Sequence, residues 1–317
     1  KTLLKAAKLA QQMRRADHHG LVPVDQEVDL RAVMAHGRDA IAGIYAEESP
    51  EALQDEGINV FLDAARFLDG QTLAFGDKKL RFRHALIATG ARPLVPPMEG
   101  LGRERADVAY SARGIQTNSH LQTAQRHIYA AGDCLGGYQF THYAGCQAFM
   151  AARNALLPGA SNGTSDRVPW TTFTDPEVAH VGLTEPQAGN RHGDTVMTCQ
   201  WPMEHVDRAR TEGATAGFLK LVHKKDGTLL GATIVAARAG EMIREWIVVL
   251  EHGLKVGDLA SDIHVYPTYA TAHMQAAAAV RIRQLLSGTS GRVIRGLARL
   301  YSIDVLTPRR GNEYDEV

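Results

Sequence analysis

Residues 128–133, Ile-Tyr-Ala-Ala-Gly-Asp, form an apolar run that ends in small residues and a carboxylate. Read as a strand, the run carries Gly132 and Asp133 to the carboxyl end of a sheet, the edge where open α/β folds hold ligands. A carboxylate there suits a ribose or ribitol hydroxyl, because an ionised acceptor strengthens the hydrogen bond. The plainer alternative is a strand-to-turn Gly-Asp in which Asp133 caps the next helix. Residues 86–93, Leu-Ile-Ala-Thr-Gly-Ala-Arg-Pro, repeat the pattern: an apolar strand ends in Ala88-Thr89-Gly90, and Pro93 stops regular structure. Each segment alone is a weak signal, and together they favour a flavin site. Cys134, Cys146 and Cys199 are odd in number and widely spaced, so no Cys-x-x-Cys zinc or redox pair can be formed from them. They read as inert thiols in a reducing cytosol.

These segments, taken in order, resemble the flavoprotein disulfide reductases of the pyridine nucleotide-disulfide oxidoreductase family, dihydrolipoamide-dehydrogenase-like and most closely mercuric-reductase-like. LIATGARP is similar to the family's ATG segment, and LQTAQRHIYAAGDC to its second flavin motif. YQFTHYAGCQAF resembles the stretch that passes the isoalloxazine ring. VPWTTFTDPEVAHVGLTE resembles the opening of the dimerisation domain and is the most specific match, and IHVYPTYATAHMQAA stands in the place of that domain's terminal motif. The resemblance implies FAD as cofactor, with NAD(P)H as co-substrate of the complete enzyme. It implies that Asp133 holds the ribitol, that Ala88, Thr89, Gly90 and Gly132 lie along the cofactor, and that Ala65 meets the adenine through its backbone. Phe140, Thr141 and His142 would flank the pyrimidine end of the ring, His142 having a solvent-facing helix entry as its alternative. It further implies a homodimer that passes hydride through the flavin and a cysteine pair to a disulfide or metal-ion substrate.

The departures from the family pattern are specific. The sequence holds no Gly-x-Gly-x-x-Gly, the element that sets a pyrophosphate on a helix N-terminus. It opens at Lys1-Thr2-Leu3-Leu4, where the family has just passed its redox cysteines, and a short connection near 91–113 replaces the NAD(P)-binding domain. The terminal His-Pro-Thr becomes Tyr266-Pro267-Thr268, and the Glu that follows it becomes Thr271. A phenol of pKa near 10 is a poor proton exchanger at neutrality, whereas an imidazole is a good one. The family's thiol-to-imidazole relay therefore does not carry over directly. A tyrosine here resembles the metal-ion-reducing relatives, which makes Tyr266 a candidate catalytic residue, with His264 placed on the same side by strand-like alternation. Aromatic packing is the alternative role of Tyr266. On this reading the 317 residues alone are expected to be inactive, and a non-catalytic dimerising remnant is the alternative function.

Several elements must position these residues. Leu3, Ala6, Ala10 and Met13 predict a helix from near residue 1, and a second helix is predicted from about Leu30 to Glu48, entered at Asp29. GINVFLDAARF, QTLAF and LRFRHALIATG predict an antiparallel meander running into Ala88-Thr89-Gly90. A strand over 127–133 and a helix from about Tyr143 to Leu157 follow, and PGASNGTSD marks a boundary. Beyond it come two strands, a helix opened at Thr184, a hairpin turning at Asp226-Gly227, and helices over 241–254 and 268–286. A helical extension at 292–303 leads into a charged tail. The fold class is thus an incomplete Rossmann-like α/β FAD-binding domain over 1–160 and an α+β dimerisation domain with an antiparallel sheet over 165–317.

Composition agrees with a globular chain: 44% of residues are hydrophobic and 22% charged. Lys plus Arg and Asp plus Glu number 35 each, so no net positive charge recruits nucleic acid or anionic lipid. No apolar run approaches the length of a membrane span, and a cytoplasmic location is expected.

Overall fold

The computed structural model describes residues 1–90, 108–111, 113–287, 291–294 and 297. The chain forms two units, residues 1–41 with 169–317 and residues 42–168. Helix α1 (Thr2–Arg14) half-buries Ala6, Ala10 and Met13 and leaves Leu3 exposed. Its Lys8 ammonium lies 3.0 Å from the Asp175 carboxylate, and the Lys1 ammonium stands 3.9 Å above the centre of the Phe173 ring. These contacts put residues 1–41 with the C-terminal unit, unlike the expected 1–160 division. Helix α2 (Leu30–Glu47) begins where Asp29 accepts hydrogen bonds from the N–H groups of Arg31 and Ala32, at 2.9 and 3.1 Å.

In the unit over 42–168, α3 (Pro50–Asp55) is capped by the Ser49 hydroxyl, which accepts from Ala52 N–H. Strands β1 (Arg66–Asp69), β2 (Thr72–Phe75) and β3 (Lys78–Arg81) make the antiparallel meander. It stops at Arg81, which corrects the expected run into Ala88-Thr89-Gly90. Strand β4 (Ala85–Ile87) belongs to another sheet. After a short ladder of β5 (Tyr110–Ser111) and β6 (Gly114–Ile115), β7 (Ile128–Ala130) pairs with β4 in parallel. The pairs are Ala85–Ile128, Leu86–Tyr129 and Ile87–Ala130. Helix α4 (Thr141–Leu156) packs on β7, and Leu121, Tyr129, Ala131 and Ala151 form the buried cluster between them.

The remaining elements build an antiparallel sheet. Strands β8 (Trp170–Thr172) and β9 (Glu177–Gly182) precede α5 (Glu185–His192), where Thr184 N–H donates to Gln187 Oε1 at 3.0 Å. Strand β10 (Val196–Pro202), absent from the sequence reading, leads into the short α6 (Asp207–Thr211). Strands β11 (Phe218–Lys224) and β12 (Leu229–Ala236) form the hairpin, with Asp226 accepting from both the N–H and hydroxyl of Thr228 at its turn. The sheet order is β10-β11-β12-β9-β8. Helices α7 (Ala239–Glu251) and α8 (Thr271–Leu286) pack on it, burying Met242, Ile243, Trp246, Ala272, Ala276 and Val280 with Leu219, Leu221, Ala232 and Ile234. Their apolar faces supply the hydrophobic core of this unit. The connection over 91–107 and most of the expected helix over 292–303 lie outside the described residues. Among the described residues no helix is long and apolar enough to cross a membrane.

Candidate functional site

Parallel pairing of β4 and β7 brings two of the sequence signals to one edge. Ala131 N–H donates to Ile87 C=O at 3.0 Å, so the chain leaves both strands at the same level. Ala88, Thr89 and Gly90 emerge exposed from β4, while Gly132 is buried and Asp133 half-buried beyond β7. Gly132 has φ +79°, and a Cβ placed on it would meet the Ala144 Cβ at 3.1 Å. Only glycine takes that conformation freely, and it lets α4 close on the strand. Gly132 N–H donates to the buried Gln147 Oε1 at 2.9 Å. The following one-turn helix, Gly132–Leu135, and α4 both lack a side-chain cap, so the helix-capping alternative for Asp133 is not what the structure forms.

Cys134 takes part in the same edge. Its thiol donates to Ala131 C=O at 3.2 Å and to Ile87 C=O at 3.4 Å, bridging the two strand ends. Burial pushes the thiol pKa up, so the sulfur stays protonated and weakly reactive. Phe140, Thr141 and His142 open α4; the Phe140 and His142 rings stack with centroids 5.4 Å apart and planes 12° from parallel. Ala65 is exposed just before β1. The meander reaches the amino side of β7, where Phe82 stacks on His127 and the His127 ring meets Gly70 C=O.

The pair His264 and Tyr266 lies in the other unit, between α7 and α8. The expected alternation fails because the segment is not a strand, and the two side chains go to different carboxylates. Tyr266 is 69% exposed, and its hydroxyl donates to Asp207 Oδ2 of α6 at 2.9 Å. That hydrogen bond raises the phenol pKa and keeps Tyr266 neutral. The His264 side chain is only 9% exposed. Burial alone would lower its pKa, but its Nε2 donates to Glu245 Oε2 at 3.0 Å and its Nδ1 faces Asp262 C=O at 3.2 Å. Two acceptors are best satisfied by an imidazolium, and the net shift is upward. A cavity of about 380 Å³ opens beside it, lined by Arg208, Arg238, Glu241, Glu245, Thr268 and Tyr269. Glu212 ties three of its lining residues together: it pairs with Arg208 at 2.5 Å and Arg238 at 3.5 Å, and accepts from the Tyr269 hydroxyl at 2.9 Å. The Tyr269 phenol is pushed up to about 12 by burial and by Glu212.

Sequence reading missed Asp207, Glu212, Glu245 and His273. The partners of His264 and Tyr266 lie 19 and 59 residues away, on separate helices, where no spacing rule links them. Among the described residues no group of three His, Cys, Asp or Glu side chains is arranged to hold a metal ion.

Comparison with known proteins shows the family. Residues 168–277 match the dimerisation domain of pyridine nucleotide-disulphide oxidoreductases. A dihydrolipoyl dehydrogenase of Thermus scotoductus is 35% identical over 230 residues, 72% of this chain and 47% of that protein. A mercuric reductase of Bacillus cereus is 35% identical over 236 residues, 71% of this chain and 37% of its own. The chain therefore spans less than half the length of these curated relatives. The crystal structure of LpdA from Mycobacterium tuberculosis superposes with a TM-score of 0.53 at 27% identity, covering 73% of this chain and 51% of that one. The Cu(II) complex of the flavoprotein disulfide reductase RclA from Escherichia coli gives a TM-score of 0.70 over 85% of this chain and 89% of that one; at 16% identity it speaks for the fold alone. With a dimerisation domain matched by family and relatives of one kind aligned across most of the chain, the protein belongs to the pyridine nucleotide-disulphide oxidoreductase family.

Proposed function

We propose that the protein acts as a homodimeric, FAD-dependent NAD(P)H oxidoreductase of mercuric-reductase-like type, whose substrate is a disulfide or a metal ion. The observation that carries this reading is the shared carboxyl edge of β4 and β7, with exposed Ala88-Thr89-Gly90 beside the Asp133 carboxylate. The residues fit a flavin nucleotide: among the described residues a Cβ on Gly90 would meet nothing within 4 Å, and the close-packed Gly132 keeps backbone and helix tight behind the edge. FAD, when bound, supplies the electron chemistry, which the protein orients and tunes. Asp133 accepts a hydrogen bond from a ribitol hydroxyl. Thr89 and Gly90 line the cofactor, Ala65 offers backbone to the adenine, and Phe140, Thr141 and His142 border the pyrimidine end. In the dimerisation domain His264, held by Glu245, is the group whose protonated form is favoured and which holds a proton, and Tyr266, donating to Asp207, stays neutral.

The test is optical. Protein purified with a flavin absorption spectrum, or taking up FAD on addition, supports the proposal. Colourless protein that remains dimeric and takes up no FAD identifies it as a dimerising protein without turnover.

A further inference from the structure

Helix α8 buries an imidazole among small apolar residues. His273 is 0% exposed, with Ala272, Ala276 and Ala277 equally buried around it, and neither ring nitrogen has a hydrogen-bond partner. Burying a polar group without a partner is unfavourable. The His273 ring meets Trp246 edge-on, with centroids 5.4 Å apart. One acceptor faces it: Glu245 Oε1 lies 4.0 Å from His273 Nε2. The other oxygen of that carboxylate already accepts from His264. Glu245 is therefore bracketed by two imidazoles, one for each oxygen.

We infer that His273 is a positioning residue, which as the neutral Nε2–H tautomer donates to Glu245 Oε1 and holds that carboxylate on His264. At 4.0 Å the two atoms are about 1 Å beyond a hydrogen bond, so the inferred contact requires a rotation of one of the two side chains. The inference rests on the reading of His264 as the proton-holding group. Neutrality matters to the role. A lysine or arginine at position 273 would neutralise Glu245 and cancel its pull on His264, whereas a neutral donor fixes the carboxylate and leaves its charge intact. Burial and the nearby His264 charge hold His273 in that neutral form. The other charged groups facing the cluster are Asp262 beside His264, and Glu241, Arg208 and Arg238 on the cavity wall shared with Glu245.

Imidazole nitrogen NMR on the full chain tests this without turnover, so failure of the proposed enzymatic function and failure of this inference are separable. In the wild type His273 is expected to carry its proton on Nε2 across about pH 5 to 8. His273→Phe keeps a ring against Trp246 and removes the donor; the His264 titration is expected to fall by about half a unit or more. His273→Gln returns an amide donor near the Nε2 position and is expected to restore it. A proton on Nδ1 in the wild type overturns the inference, and so does an unmoved His264 titration in folded His273→Phe. If the Phe variant does not fold, the wild-type tautomer decides.

Discussion

Asp133 shows how much a single residue can carry. Its carboxylate stands half-buried at the end of β7 and is not used as a helix cap. A hydrogen bond from a ribitol hydroxyl to an ionised acceptor is worth roughly 1.5–3 kcal/mol. Asp133→Ala is therefore expected to weaken FAD binding by about tenfold to a hundredfold, read by fluorescence titration of the free flavin. Equal affinity in the variant would remove Asp133 from the site. The strand end that presents this carboxylate was legible because its neighbours in sequence announce it: an apolar run ending in two alanines and a glycine lets another group approach the backbone closely. Glu245 and Asp207 had no such announcement. Each is one acid among 35, and only folding brings it to His264 or Tyr266.

At the scale of elements, the sheet of the dimerisation domain depends on tight crossings. Gly182 ends β9 with φ +81°, and a Cβ there would come within 2.4 Å of the Leu230 carbonyl oxygen and 2.9 Å of the Gly231 Cα. Both neighbours are backbone in the adjacent strand and cannot turn aside. Gly182→Ala is expected to destabilise this unit by about 2–4 kcal/mol, seen as a fall in the denaturant midpoint. A shift of less than a few tenths of a kcal/mol would mean that the β9–β12 crossing relaxes. The hairpin turning at Asp226-Gly227 and the helices α5, α7 and α8 were legible because local rules set them: a turn dipeptide, a cap and an amphipathic stripe. Strand β10 was missed although Thr198 and Gln200 alternate with Cys199 and Trp201. It is an edge strand, half-buried along most of its length, so its pattern is shallow. The β4–β7 pairing was misread for a different reason. Adjacency in sequence favours β3 as the neighbour of β4, and parallel pairing with a strand some forty residues later leaves no local trace.

Assembly and pH response belong to the whole molecule. Between α7 and α8 the segment that carries His264 leaves Ile263 fully exposed and Val265 77% exposed. Apolar side chains so displayed beside the proposed catalytic residues fit a surface covered by a second copy of the chain. Ile263→Asp with Val265→Asp is expected to convert a micromolar dimer into a folded monomer by light scattering. A dimer of undiminished affinity would move the contact elsewhere, and a monomeric wild type would end the assembly proposal. Acid stability follows from His273. Burial pushes its pKa down to about 3, from an ordinary 6.5. Below pH 6.5 the unfolded chain binds a proton there that the folded chain refuses, so the contribution to stability is intact above 6.5 and is lost as pH falls toward 3, by at most about 1.4 kcal/mol per pH unit. His264 works in the opposite sense. Its raised pKa adds stability below 6.5 that disappears as pH rises through the folded value. His273→Phe should remove the acid-side loss while keeping the packing on Trp246. Denaturant titrations at a series of pH values between about 4 and 7 should give the variant a flatter profile than the wild type. Parallel profiles would mean that His273 is protonated in the folded state and that its burial does not govern acid unfolding.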